Sequence, residues 1–165
     1  MAMNQAMSQA TWSNPGAVVI DANIFISICA NEPSAATARA ALAAYTARNW
    51  VFYAPSVILT EVLFALCRKL QEGSLNVASH QKAVTDFHGY LPALSPPPTG
   101  DAALLLRAEE IRRGYSCLNS ADGFYLALTE ELARSGAAEF LTFDKCTVNV
   151  AANNAPAVKV HLLPS

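Results

Sequence analysis

The run Val18-Val19-Ile20 is short and β-branched, and it ends abruptly in the carboxylate of Asp21. A second apolar run, Ala22-Asn23-Ile24-Phe25-Ile26, follows directly. Consecutive apolar residues with no alternation describe a strand buried on both faces, as in a parallel sheet covered by helices. Pro15-Gly16 punctuates the start of that strand, over residues 17–20. An acid placed where such a strand ends needs a reason. The chain is therefore read for other acids that would arrive at the same place.

With 165 residues, residues 17–165 read as one domain able to bury a sizeable core. A hydrophobic content of 53% excludes disorder for most of the chain and implies a covered surface patch, hence a partner chain or a homodimer. Residues 1–16 read as a disordered leader; they lack the basic and apolar regions of a signal peptide. No apolar run reaches the roughly 18 residues of a membrane span, so a cytoplasmic protein is expected. The net charge of -2 gives no case for nucleic-acid binding without a local basic patch. Cys29, Cys67, Cys117 and Cys146 form no CxxC pair and read as buried free thiols. His80, His88 and His161 have no ligand spacing, which argues against zinc.

Apolar strands alternate with helical patterns along the chain. An alanine-rich helix runs to about Arg48, and Trp50–Tyr53 reads as a second strand. Ser56 reads as the N-cap of a helix to Gln71, and Asn76 as the cap of one to Tyr90. Leu91–Leu94 reads as a short strand before the rigid Ser95-Pro96-Pro97-Pro98 connector. Thr99 reads as the cap of a helix to Arg113. A further helix opens at Asn119 or Ser120, with Ala121, Phe124, Tyr125, Leu128 and Leu132 on its apolar face. Glu139–Phe143 and Val158–Leu162 read as the last strands, with no helix expected between them. The pattern predicts an α/β fold: an α/β/α sandwich around a mostly parallel sheet of about four or five strands.

In such sheets, ligand sites lie beyond the carboxyl ends of the strands. Asp21 and Asp144 each directly follow a strand. Glu61 lies about one turn into the helix after the second strand, and Asp122 in the first turn of its own helix. All four carboxylates would open on one rim. Their mutual repulsion would raise their pKa values unless a cation neutralised them. Oxygen-only ligation suits Mg²⁺ or Mn²⁺, and such a metal suits phosphoryl chemistry. Asn23, Ser120 and Thr142 flank three of the acids and would support them as hydrogen-bonding neighbours. Each acid also has a plain structural role open to it. Asp21 would make an Asx turn, Glu61 would pair with Arg68, Asp122 would complete a capping box, and Asp144 would form a strand-end turn.

Taken together, Val19-Ile20-Asp21-Ala22-Asn23, Pro55–Glu61, Asn119–Leu128 and Leu141-Thr142-Phe143-Asp144-Lys145 resemble the PIN-domain nucleases, in particular the VapC-like toxins of bacterial toxin–antitoxin pairs. The order and separations match over about residues 17–163. Gly123 departs from the pattern, standing where an alanine is common. The resemblance implies a metal-dependent endoribonuclease, with Mg²⁺ or Mn²⁺ held by Asp21, Glu61, Asp122 and Asp144 and with Asn23 and Thr142 in support. It also implies an RNA substrate, a homodimer and a small cognate antitoxin that lies across the active-site groove. The alternative class is a PIN-fold module that binds RNA or protein with little or no catalysis.

Overall fold

The protein is described here by a computed structural model covering residues 15–114 and 121–164. The leader expected over residues 1–16 falls almost wholly outside those residues, as do Cys117 and Ser120. The elements run β1 (Ala17–Ile20), α1 (Ala22–Cys29), α2 (Ala35–Ala47), β2 (Val51–Tyr53), α3 (Val57–Gln71) and α4 (Val77–Tyr90). A 3-10 turn (Leu91–Ala93) leads to β3 (Leu94–Ser95). Then come α5 (Asp101–Gly114), α6 (Asp122–Ala133), β4 (Ala138–Thr142), α7 (Lys145–Asn154) and β5 (Lys159–Leu162). None of these helices is long and apolar enough to cross a membrane.

The five strands form one sheet, parallel throughout, in the order β3-β2-β1-β4-β5. β1 is central, and its Val18, Val19 and Ile20 are 0% exposed, which is why that strand carries no polar residue. From β1 the chain builds outward to β2 and β3, then returns across the sheet to build β4 and β5 on the other side. Right-handed crossovers place the helices of these two legs on opposite faces. Accordingly, α1 to α4 pack on one another, and α5 packs on both α6 and α7. The reversal leaves a crevice between the carboxyl ends of β1 and β4. This is the topological switch point at which open α/β sheets bind ligands.

The structure adds one helix that the sequence pattern does not predict. α7 contains Thr147, Val148, Asn149, Val150 and Asn153, all weak helix formers. It exists because β4 and β5 are parallel, and parallel neighbours need a crossover rather than a tight turn. Asp144 starts it, accepting a hydrogen bond from the Cys146 amide at 2.8 Å. Asn76 caps α4 as its sequence implies, accepting from the Ser79 amide at 2.8 Å. Ser56 and Thr99 do not cap their helices. The Ser56 hydroxyl donates to Asp101, and that of Thr99 to Glu131 Oε2 at 2.8 Å. In both cases a distant carboxylate outcompetes the local amide.

Gly123 has a packing reason. A Cβ there would sit 2.5 Å from the Ala108 carbonyl oxygen of α5, so the close contact of α5 with α6 needs glycine. Only Cys29 among the described cysteines is a buried thiol, pushed up to about 11 by burial; Cys67 and Cys146 are exposed, on the outer face of α3 and in the first turn of α7.

Away from the switch point, β4 buries another acid, Glu139, at 6% exposure. Its carboxylate is met by the Lys159 ammonium and by the Tyr45 phenol at 2.5 Å. The same phenol lies 2.7 Å from His161 Nδ1. Glu139 thus shows how this fold treats a buried acid whose role is structural, by pairing it with a cation.

Candidate active site

Asp21 is the residue at which β1 stops. Its amide donates to the Leu141 carbonyl of β4 at 3.0 Å, which pins the backbone across the switch point. Its side chain caps α1, with Oδ1 accepting from the Asn23 amide at 3.2 Å. Oδ2 accepts from the Thr142 hydroxyl at 2.5 Å and from Asn23 Nδ2 at 2.8 Å. Asn23 Nδ2 also donates to Thr142 Oγ1 at 2.9 Å, and Asn23 Oδ1 accepts from the Phe143 amide at 3.3 Å. Asn23 therefore ties the end of β1 to the end of β4.

Asp144 arrives by the same construction. Its amide donates to Thr142 Oγ1 at 2.9 Å, and its carboxylate caps α7 while accepting from Thr147 Oγ1 at 3.2 Å. Glu61, one turn into α3, accepts from the Tyr125 phenol at 2.6 Å. Asp122 is the first residue of α6 and has no hydrogen-bond partner among the described residues. The structural alternatives resolve unevenly. Arg68 pairs with Glu72 at 3.6 Å, not with Glu61. The capping roles of Asp21 and Asp144 are real and coexist with their place on the rim.

The electrostatics show that the acids face one another. Burial, with the charges of Glu61 and Asp144 adding to it, raises Asp21 from 3.8 to about 6, against the lowering bonds from Thr142 and Asn23. Asp122 is pushed up to about 7, by burial first and then by the charges of Asp21, Asp144 and Glu61. Burial raises Glu61, and the Tyr125 bond lowers it. Burial and the charges of Glu61, Asp21 and Asp122 hold the Tyr125 phenol protonated, as a donor. None of the four acids has a Lys, Arg or His partner among the described residues, in contrast to Glu139.

Four oxygen-donor side chains with no protein cation beside them among the described residues, three of them (Asp21, Glu61 and Asp122) raised in pKa, form a donor set that fits Mg²⁺ or Mn²⁺. Among the described residues, no three acidic, His or Cys side chains enclose a cation as they stand. Asp21 and Glu61 each give an oxygen to a protein donor instead. Sequence reasoning finds the four acids, Asn23 and Thr142, but misses Tyr125, which it places only on an apolar face. The available signal is chemical: a buried tyrosine needs a partner for its hydroxyl.

Residues 18–153 match the family model described as PIN domain. No curated protein matches the sequence. Among solved structures, a chain of the crystal structure of VapBC2 from Rickettsia felis bound to a DNA fragment from their promoter superposes with a TM-score of 0.59. The match is 14% identical in sequence and covers 90% of this chain and 99% of that one. At that identity the likeness is one of fold.

Proposed function

We propose, for a chain that belongs to the PIN domain family, that it is a metal-dependent endoribonuclease and the toxin of a toxin–antitoxin pair, acting in the cytoplasm. The observation that carries this reading is the grouping of Asp21, Glu61, Asp122 and Asp144 at the switch point: the charges of the other three act on Asp122, those of Glu61 and Asp144 act on Asp21, and no protein cation neutralises any of the four among the described residues. These four would hold Mg²⁺ or Mn²⁺. When bound, the cation supplies charge stabilisation at the scissile phosphate and a more acidic attacking water. Cleavage would leave a 3′-hydroxyl and a 5′-phosphate. The chain's own part is orientation. Thr142 and Asn23 fix the Asp21 carboxylate from the strand ends, and the caps of α1 and α7 fix the backbone beneath Asp21 and Asp144.

The test compares single-stranded RNA, tRNA and branched DNA with Mg²⁺, with chelator, and with chelator followed by Mn²⁺. RNA should be cut only when a divalent metal is present, with activity restored by Mn²⁺. Cleavage that survives chelation, or that acts on branched DNA alone, would refute the assignment.

The partners belong to the same reading. Leu59, Leu63 and Phe64 on α3 and Leu105 and Leu106 on α5 are exposed apolar side chains. They would serve a small antitoxin, in line with the VapBC2 likeness, and separately a homodimer contact. Light scattering at micromolar concentration should give the mass of a dimer; a monomer would count against the homodimer.

A further inference from the structure

We infer that Tyr125 is a positioning residue, one that fixes Glu61 within the acid cluster with Oε1 as the oxygen left clear of the phenol for a divalent cation. The inference rests on the metal-dependent reading of the site, and its test separates the two.

Tyr125 lies one turn beyond Asp122 on α6, so the two share a helix face. It is 1% exposed, and its ring packs against Phe140 of β4 with centroids 5.7 Å apart and planes tilted by 30°. A buried ring in close packing holds one rotamer, so its hydroxyl occupies a fixed point. That point is 2.6 Å from Glu61 Oε2. Glu61 stands on α3, in the opposite helical layer, and is partly exposed. The bond therefore reaches across the sheet rim, from the helix that carries the third acid to the helix that carries the second.

The packing at position 125 needs only the ring, because phenylalanine would fill the same space against Phe140. The hydroxyl does something else. Glu61 has a long, flexible arm, and its charge acts on the carboxylates of Asp21 and Asp122. Without a donor, repulsion would turn it outward to solvent. With Oε2 held by Tyr125, Oε1 is its only oxygen with no hydrogen bond among the described residues. The geometry thus fixes both where this carboxylate sits and which of its oxygens is left clear of the phenol.

The experiment titrates Mn²⁺ into wild type, Tyr125→Phe, Glu61→Ala and the double variant. It follows calorimetric heat and the free-ion EPR signal, and checks the fold of each protein by melting. Tyr125→Phe should bind Mn²⁺ about 10-fold more weakly, the scale of a lost neighbour to a metal ligand. The same change made on top of Glu61→Ala should leave the affinity unaltered. Glu61→Asp, which draws the carboxylate back from the fixed phenol, should weaken binding similarly and tests the bond from its other end. Wild-type affinity in Tyr125→Phe, or a loss that persists in full without Glu61, would overturn the inference while leaving the metal site standing. A wild-type protein that binds no Mn²⁺ would overturn both.

Discussion

Asp21→Asn is expected to lower Mg²⁺-dependent RNA cleavage by roughly 10³-fold or more, beyond the 10–100-fold typical of residues that only support a metal ligand. The fold should be untouched. Asparagine caps helices about as well as aspartate, so α1 keeps its start. The amide bond to Leu141 belongs to the backbone and is indifferent to the side chain. The single carboxamide oxygen keeps the α1 cap from the Oδ1 position and gives up the bonds Oδ2 accepts from Thr142 and Asn23, a local cost that should lower Tm somewhat without unfolding the chain. What is lost to a cation is the charge. A circular dichroism melt beside a cleavage assay checks both halves, and undiminished cleavage by a folded variant would dispose of the proposed role.

The second large effect is on stability, and its sign is opposite to that of most carboxylates. Asp21 and Asp122 bind protons more tightly in the folded chain, at about 6 and about 7, than at their ordinary 3.8. Their contribution is therefore most favourable at low pH and is lost as pH rises through 6 and 7. Between pH 5 and pH 8 the metal-free protein should lose on the order of 3 kcal/mol, or roughly 5–10 °C in Tm. Mn²⁺ should raise Tm far more at pH 8 than at pH 5, because only the charged site competes well for a cation. Asp122→Asn should raise the metal-free Tm at pH 8 and flatten the profile. Calorimetric scans across that range decide the matter; a metal-free Tm that is flat or rises with pH would contradict the mutual charging of the site.

Much of this site is legible in the chain because strand ends are. Val18-Val19-Ile20 and Phe140-Leu141-Thr142 announce buried strands, and an acid after each marks the rim on which both open. Strand order is not legible. That β1 and β4 are neighbours, so that Asp21 meets Thr142, follows from long-range pairing that no local pattern encodes. α7 is invisible for a related reason: its residues favour strand or turn, and only the parallel pairing of β5 demands a helix there. Ser56 and Thr99 show the converse failure. Both carry the local signature of a cap, yet their hydroxyls bond to Asp101 and Glu131, which lie 45 and 32 residues further along the chain. Tyr125 is hidden because an amphipathic pattern records the ring and not the hydroxyl.

The double duty of Asp21 and Asp144, each at once a helix cap and a member of the acid cluster, has an evolutionary consequence. A change from aspartate to asparagine at either position is one nucleotide away and preserves the cap. With the role proposed for these acids, this architecture keeps an inert twin within one mutational step, close in shape and different in charge. Under the proposed toxin role, silencing by drift would be easy and would leave a folded, abundant product. Loss of activity in a lineage would then be visible in those two codons long before the scaffold decays.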